Sequence, residues 1–173
     1  MNNQNNKKNQ PNRDPRQDSN EQVLEIRRVS QKTKGGNNIS FSVLVVTGDR
    51  KGSVGIGQGK APSVADAIKK ASRLANRDLV KLPIKNGTIP FETKAKFKSA
   101  NVLLKPAPKG TGIIAGGAIR SIVEVSGVTD IVAKMLGSNN KSTNAKATLK
   151  ALKEIELLDK KHQELKRQKN NKK

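Results

Sequence analysis

The chain has 173 residues, and 35 Lys and Arg against 14 Asp and Glu leave a formal net charge of +21. Such an excess opposes compactness and calls for a polyanionic partner, either nucleic acid or an anionic membrane surface. The membrane is disfavoured because no apolar stretch of about 20 residues and no lipidation signal is present. Base-stacking recognition of single-stranded RNA is disfavoured because Phe41, Phe91 and Phe97 are the only Phe, Trp or Tyr side chains.

The length permits one domain or two small ones. Cysteine is absent, which fits a reducing compartment, and Met1-Asn2-Asn3-Gln4 lacks the apolar core of a signal peptide, so the cytoplasm is the expected location. Residues 1 to 22 are almost all Asn, Gln, Lys, Arg, Asp and Pro and read as a disordered polar tail. Val23 to Lys34 then starts as an alternating strand and turns basic at Arg27, Arg28, Lys32 and Lys34. Gly35-Gly36-Asn37-Asn38 supplies turn residues. Ile39 to Thr47 is the clearest strand, with Ile39, Phe41, Val43 and Val45 on one face.

Gly48-Asp49-Arg50-Lys51-Gly52 is a charged turn leading into a third strand, where Val54 and Ile56 alternate with Gly55, Gly57 and Gly59. Without a Cβ, those glycines allow another backbone to approach closely. Pro62, Ser63 and Asp66 form a capping-box pattern for a helix reaching Val80. Its expected buried stripe is Val64, Ala67, Ile68, Ala71, Leu74 and Ala75. Lys69, Arg73 and Arg77 fall four apart and line one side. A basic helix beside a glycine-exposed strand suits a phosphate backbone. The first module, 23–86, is therefore three antiparallel strands and a helix, and it is small enough to need a partner for full stability.

Pro83 and Asn86-Gly87 mark the boundary with a second module, 87–158. Thr88 to Phe91, Lys94 to Ser99 and Asn101 to Lys105 read as short strands, with Lys94, Lys96 and Lys98 on one face of the middle one. Gly110 to Gly117 is a loop opening a helix whose buried side is Ala118, Ile119, Ile122 and Val123, ended by Gly127. A strand over Ile131 to Leu136 follows. A last helix is capped by Thr143 or Asn144 and buries Ala145, Leu149, Leu152 and Ile155. Residues 159–173 read as a basic tail.

Chemistry is hard to find. Gly110-x-Gly112-x-x-Ala115 with Asp130 formally matches a dinucleotide fingerprint, but Asp130 begins its strand where the ribose-binding acid should end one. Gly59-Lys60 lacks the remaining residues of a Walker loop. His162, the sole histidine, falls in the tail, and no ligand cluster for a metal is evident. No catalytic residue, cofactor or small-molecule substrate is indicated.

Several blocks together resemble the bacterial-type small-subunit ribosomal protein five family. They are Arg28-Val29-Ser30, Lys34-Gly35-Gly36, Phe41-Ser42, Gly48-Asp49, Gly52-x-Val54-Gly55-x-Gly57-x-Gly59-Lys60, Ala67-Ile68-x-Lys70-Ala71, Gly110 to Gly117 with Arg120, and Gly137-Ser138-x-Asn140. The match runs from about Val23 to Leu157. Asn37, Asn38, Thr47, Ile56 and Gln58 depart from the usual pattern. The resemblance implies an α+β protein: a double-stranded-RNA-binding-like module followed by a two-layer α/β domain with a left-handed βαβ crossover. It implies binding to small-subunit ribosomal RNA, stabilisation of head relative to body, ribosomal proteins four and eight as neighbours, and proximity to the path by which messenger RNA enters. An influence on decoding accuracy is implied at the surface shared with protein four. Lys32-Thr33-Lys34-Gly35-Gly36 would reach RNA, and Gly112 and Arg120 would face protein four. The full set of expected RNA contacts is Arg27, Arg28, Lys32, Thr33, Lys34, Gly35, Gly36, Arg50, Lys51, Gly55, Gly57, Gly59, Lys60, Lys69, Arg73 and Arg77. The competing readings are a non-ribosomal double-stranded-RNA regulator or RNA chaperone, and a nucleotide-binding enzyme.

Overall fold

The computed structural model describes residues 20–170, so most of the expected polar tail lies outside the described residues. The N-terminal half is a sheet of β1 (Asn20–Thr33), β2 (Gly36–Gly48), β3 (Ser53–Ala61) and β4 (Val80–Lys81), antiparallel throughout and in that order, with α1 (Val64–Arg77) on one face. Two boundaries differ from expectation. The strand begins at Asn20, because Asn20 to Gln22 pair with Val46 to Gly48. The turn is Lys34-Gly35, with Gly36 to Asn38 already paired in β2. The short β4, unforeseen, returns the chain alongside Ser53 and Val54.

β2 carries apolar side chains on both faces, and both are covered. Val43 and Val45 pack on Ala67 and Ala71 of α1. Leu44 and Val46 belong to a second cluster shared with the C-terminal half, including Ile119, Val125, Leu152 and Ile155. The partner that the small first module needs is thus the rest of its own chain. On the α1 side, Gly59 and Gly57 lie opposite Val43 and Val45, and Gly55 opposite Thr47. A Cβ at Gly55, Gly57 or Gly59 would stand 2.1, 2.0 or 2.3 Å from the carbonyl oxygens of Ala75, Ala71 and Ala67. The backbone that approaches these glycines is that of α1. The helix buries Ala67, Ala71, Ser72 and Ala75, while Leu74 of the expected stripe is 39% exposed. Ser63 is at the N-cap position, but its hydroxyl makes no cap hydrogen bond.

The C-terminal half contains β5 (Thr93–Phe97), β6 (Ala100–Pro106), β7 (Ile113–Ile114), α2 (Gly117–Ser126), β8 (Ile131–Gly137) and α3 (Lys141–Asn170). The sheet order is β5-β6-β8-β7, and β7-α2-β8 is a βαβ unit with parallel strands. Residues 88–91 form no strand; their apolar signal comes from Ile89, which is buried as an anchor of the linker. Lys98 sits in the β5–β6 turn at φ 54°, so the expected lysine row shortens to Lys94 and Lys96. α2 behaves as expected, ending at Gly127 with φ 88°. α3 is capped instead by Asn140, whose Oδ1 accepts the Ser142 N–H at 3.0 Å. It also runs on through residues expected to be tail, because Asp159 is buried and accepts from Lys85 Nζ and Gln163 Nε2, each at 2.6 Å. His162 is exposed, with its ring edge-to-face on Phe91 at 5.8 Å.

The turn between β2 and β3 joins the halves. Arg50 N–H donates to Val125 O at 3.1 Å, and Gly52 N–H to Ser126 O at 2.9 Å, at the C-terminal end of α2. Asp49 Oδ1 holds the turn by accepting from Lys51 and Ser53 N–H, each at 2.8 Å. Partial burial raises the pKa of Asp49, but the Ser53 and Lys51 amides outweigh it and hold the carboxyl below its ordinary value.

Gly57→Ala should destabilise the chain by about 1–3 kcal/mol or more, because the added methyl has no room against α1. Gly35→Ala, where a Cβ meets nothing within 4 Å, should change stability by less than about 0.5 kcal/mol. Urea unfolding followed by circular dichroism checks both, and equal effects would contradict the packing described.

Candidate nucleic-acid interface

The expected RNA-binding residues divide into separate groups. Arg27, Arg28, Lys32, Thr33, Lys34, Gly35 and Gly36 lie on the β1–β2 hairpin, exposed from Arg27 to Ile39 except for half-buried Val29. This arm extends past α1, which covers β2 from Phe41 to Thr47. No Asp or Glu occurs between Ile26 and Gly48. Thr33 Oγ1 donates to Gly36 O at 2.9 Å across the tip. Arg28 and Lys32 face the α1 side, where they pair with Phe41 and Asn37. Arg27 is on the reverse side, 2.9 Å from Glu25. There it is joined by Lys60, since Arg27, Ser42 and Lys60 stand opposite one another across three strands. Lys69, Arg73 and Arg77 are all exposed along the outer side of α1.

Arg50 and Lys51 belong elsewhere. Their side chains are exposed, but they sit at the opposite end of β2 from Lys34, roughly 40 Å away at strand rise, and the turn backbone is engaged with α2. Gly55, Gly57 and Gly59 must be withdrawn from the contact surface. They are buried, and α1 occupies the side from which a ligand would come.

The Gly110–Gly117 loop does cradle an anion, and the anion is the chain's own. Gly110 and Gly112 N–H each donate to Asp130 Oδ1 at 2.9 Å, and the Thr129 hydroxyl lies 2.7 Å from Oδ2. Gly87 O accepts from the N–H groups of Thr129 and Asp130 at 2.9 and 3.1 Å, which ties the linker to the same point. The Gly112 amide, then the Thr129 hydroxyl, hold the Asp130 carboxyl below its ordinary value against the opposing effect of burial. The dinucleotide reading therefore loses its site: the amides that would meet a pyrophosphate are taken. Gly112, at φ 73°, is half-buried here, and Arg120 is exposed on α2. Among the described residues no group of His, Cys, Asp or Glu could hold a metal ion, and no helix is long and apolar enough to cross a membrane.

Sequence reasoning missed the structural roles of Asp130, Asp159 and Asn140. The signal for Asp130 is an acid 18 residues beyond Gly112, and a cofactor-ligand reading of it hides its role as the loop's own anion.

These features define a basic, two-part α+β protein that presents cations on its exterior and uses its buried carboxylates to fix its own loops. Residues 19–83 match the family described as "Ribosomal protein S5, N-terminal domain", and residues 95–166 match "Ribosomal protein S5, C-terminal domain". The chain is 49% identical over 132 residues to the small ribosomal subunit protein uS5 of Lawsonia intracellularis, covering 76% of this chain and 81% of that protein. It is 49% identical over 148 residues to that of Thermosipho africanus, covering 86% and 84%. With that of Mycoplasmopsis agalactiae it shares 52% over 136 residues, covering 78% and 59%. The chain belongs to the ribosomal protein S5 (uS5) family and is a structural protein, not an enzyme.

Because the folded-state pKa of Asp130 is below the ordinary value of 3.8, its stabilising contribution is complete above that pH and is lost as pH falls through the lowered value. Asp130→Asn should unfold at lower temperature at pH 7, and its melting temperature should fall less steeply than wild type below about pH 4. Amide exchange at Gly110 and Gly112 should be several-fold faster in the variant. Unchanged exchange at both would refute the assigned role.

Proposed function

We propose that this chain, a structural constituent of the small ribosomal subunit, binds small-subunit ribosomal RNA through the β1–β2 arm and the outer side of α1. The observation that carries the reading is the arm itself. It is a two-stranded extension beyond the core, with Arg27, Arg28, Lys32 and Lys34 exposed and no acid between Ile26 and Gly48. A rigid ribbon of that charge meets phosphates without reading bases, as the scarcity of aromatic side chains requires. Lys69, Arg73 and Arg77 add a second line of contacts along α1, and Lys60 extends the reverse side beside Arg27.

In this reading the tie between the β2–β3 turn and α2 transmits the position of the arm to the C-terminal half. The loop around Gly112 and exposed Arg120, held in shape by Asp130, forms the surface towards ribosomal protein four, where an effect on decoding accuracy arises. Protein eight as a further neighbour, the stabilisation of head against body, and closeness to incoming messenger RNA complete the proposal. They are supported by the membership of both halves in one ribosomal family.

With about six phosphates neutralised, the logarithm of affinity for ribosomal RNA should fall against the logarithm of salt with a slope of roughly −4 to −5. Arg73→Ala should weaken binding without altering sequence preference, and replacing Arg28, Lys32 and Lys34 together by Gln should flatten the slope by about 2 to 3. A salt-independent affinity, or a chain found in cell extracts only free of small subunits, would overturn the proposal in favour of a regulator.

A further inference from the structure

The C-terminal sheet is covered on one face only. Thr93, Ala95, Val102, Leu104, Ile131 and Ala133 point to the helices and are buried. Alternation turns their neighbours the other way, and the register sets these out in rows. Lys94 stands opposite Leu103, which stands opposite Lys134; Lys96 stands opposite Asn101, which stands opposite Leu136. Lys94, Lys96 and Lys134 are exposed and make no ion pair among the described residues. Lys105, on the same face, is paired at the rim with Glu92 at 3.4 Å. None of the four strands contains an Asp or Glu.

We infer that this open face is a second contact for the sugar-phosphate strand of ribosomal RNA, gripped by Lys94, Lys96 and Lys134. Lys94 and Lys96 are anchored about 7 Å apart along β5, and Lys134 is anchored about 9.5 Å across β6 from Lys94. That triangle suits neighbouring phosphates on one strand. Leu103 between the two lysine columns is half-buried, and lysine methylenes lie along such apolar surface while their charges reach out. Leu136, 38% exposed, lies two residues beyond Lys134 on β8, and Ile114, 55% exposed, lies on β7 at the edge away from β5, so apolar surface adjoins the lysines on one side only. The arrangement is unlike the core of a protein–protein contact, where lysine is depleted, and like a nucleic-acid contact, which is polar and strongly positive. Only the register reveals this site: Lys134 is 38 residues from Lys96 in the chain and joins the β5 lysines because β6 lies between their strands.

The inference rests on the ribosomal RNA reading, and one titration separates the two. Filter binding of the full chain to small-subunit ribosomal RNA is measured between roughly 50 and 200 mM salt, for wild type and for Lys94→Gln/Lys96→Gln/Lys134→Gln. Wild type should show its steep slope, and the triple variant a slope shallower by about 2 with an unchanged melting temperature. A variant slope equal to a steep wild-type slope overturns this inference and leaves the arm intact as the RNA contact. A flat wild-type slope overturns the RNA reading itself. Ile114→Ser/Leu136→Ser supplies a further arm. If it abolishes incorporation into small subunits while the lysine variant keeps full RNA affinity, the face binds protein and the inference falls.

Discussion

The close seating of α1 on the backbone of β3 is the constraint on which the rest of the structure depends. Three glycines at alternate positions leave a trough, and the helix carbonyls of Ala67, Ala71 and Ala75 descend into it. Any side chain there would lift the helix and expose Val43 and Val45. With α1 seated, those valines are closed off, and the reverse face of β2 is left to bind the C-terminal half through Leu44 and Val46. A single strand thus serves two cores. The arm is a continuation of that strand and its β1 neighbour, so its cations are held at the end of a lever clamped on both sides. An arm ordered in this way before any partner is met loses less conformational entropy on binding.

A chain with this net charge repels itself, and the use of its acids reflects that. Asp49, Asp130 and Asp159 turn inward. Each accepts two or more hydrogen bonds and lies where two segments remote in sequence must meet or a turn must close. Asp159 fastens α3 to the linker through Lys85, and Asp130 fastens the glycine loop to the strand that follows α2. The positive side chains stay in solvent, where screening weakens their mutual repulsion and a polyanion removes it. Negative charge thus builds the frame and positive charge is left on the exterior.

The alternation of Ile39 to Thr47, the glycine strand, the helix after Ser63 and the helix ending at Gly127 were all legible, because each is a local pattern with its own stop signal. The cations of the arm and of α1 were legible as residues. Their grouping was not, because Arg50 and Lys51 are near Lys60 in sequence yet sit at the far end of the sheet, while Arg27 is far in sequence yet joins Lys60 across Ser42. Gly55, Gly57 and Gly59 were correctly read as places of close backbone approach and wrongly read as open to RNA. A glycine declares that something comes near, and only the tertiary fold says what. The end of α3 was misjudged for a similar reason. Its polar composition after Leu158 resembles a tail, but Asp159 finds Lys85, 74 residues earlier, and the helix continues through the point where the composition predicts fraying.

The glycine loop makes the strongest case for reading such motifs through their electrostatics. Successive backbone amides in a tight loop form a site for negative charge whatever its source. In a nucleotide-binding fold the charge arrives with a ligand and leaves with it, so the loop must tolerate vacancy. Here Asp130 supplies it from within the chain, and the N–H groups of Thr129 and Asp130 also donate to the linker carbonyl of Gly87. Once the carboxylate is in place, a second anion would meet its charge as well as its volume. The same amides that in one context recognise a cofactor therefore serve in this one as a clasp. That substitution is the physical difference between a loop that waits for a ligand and one that is held in shape by its own chain.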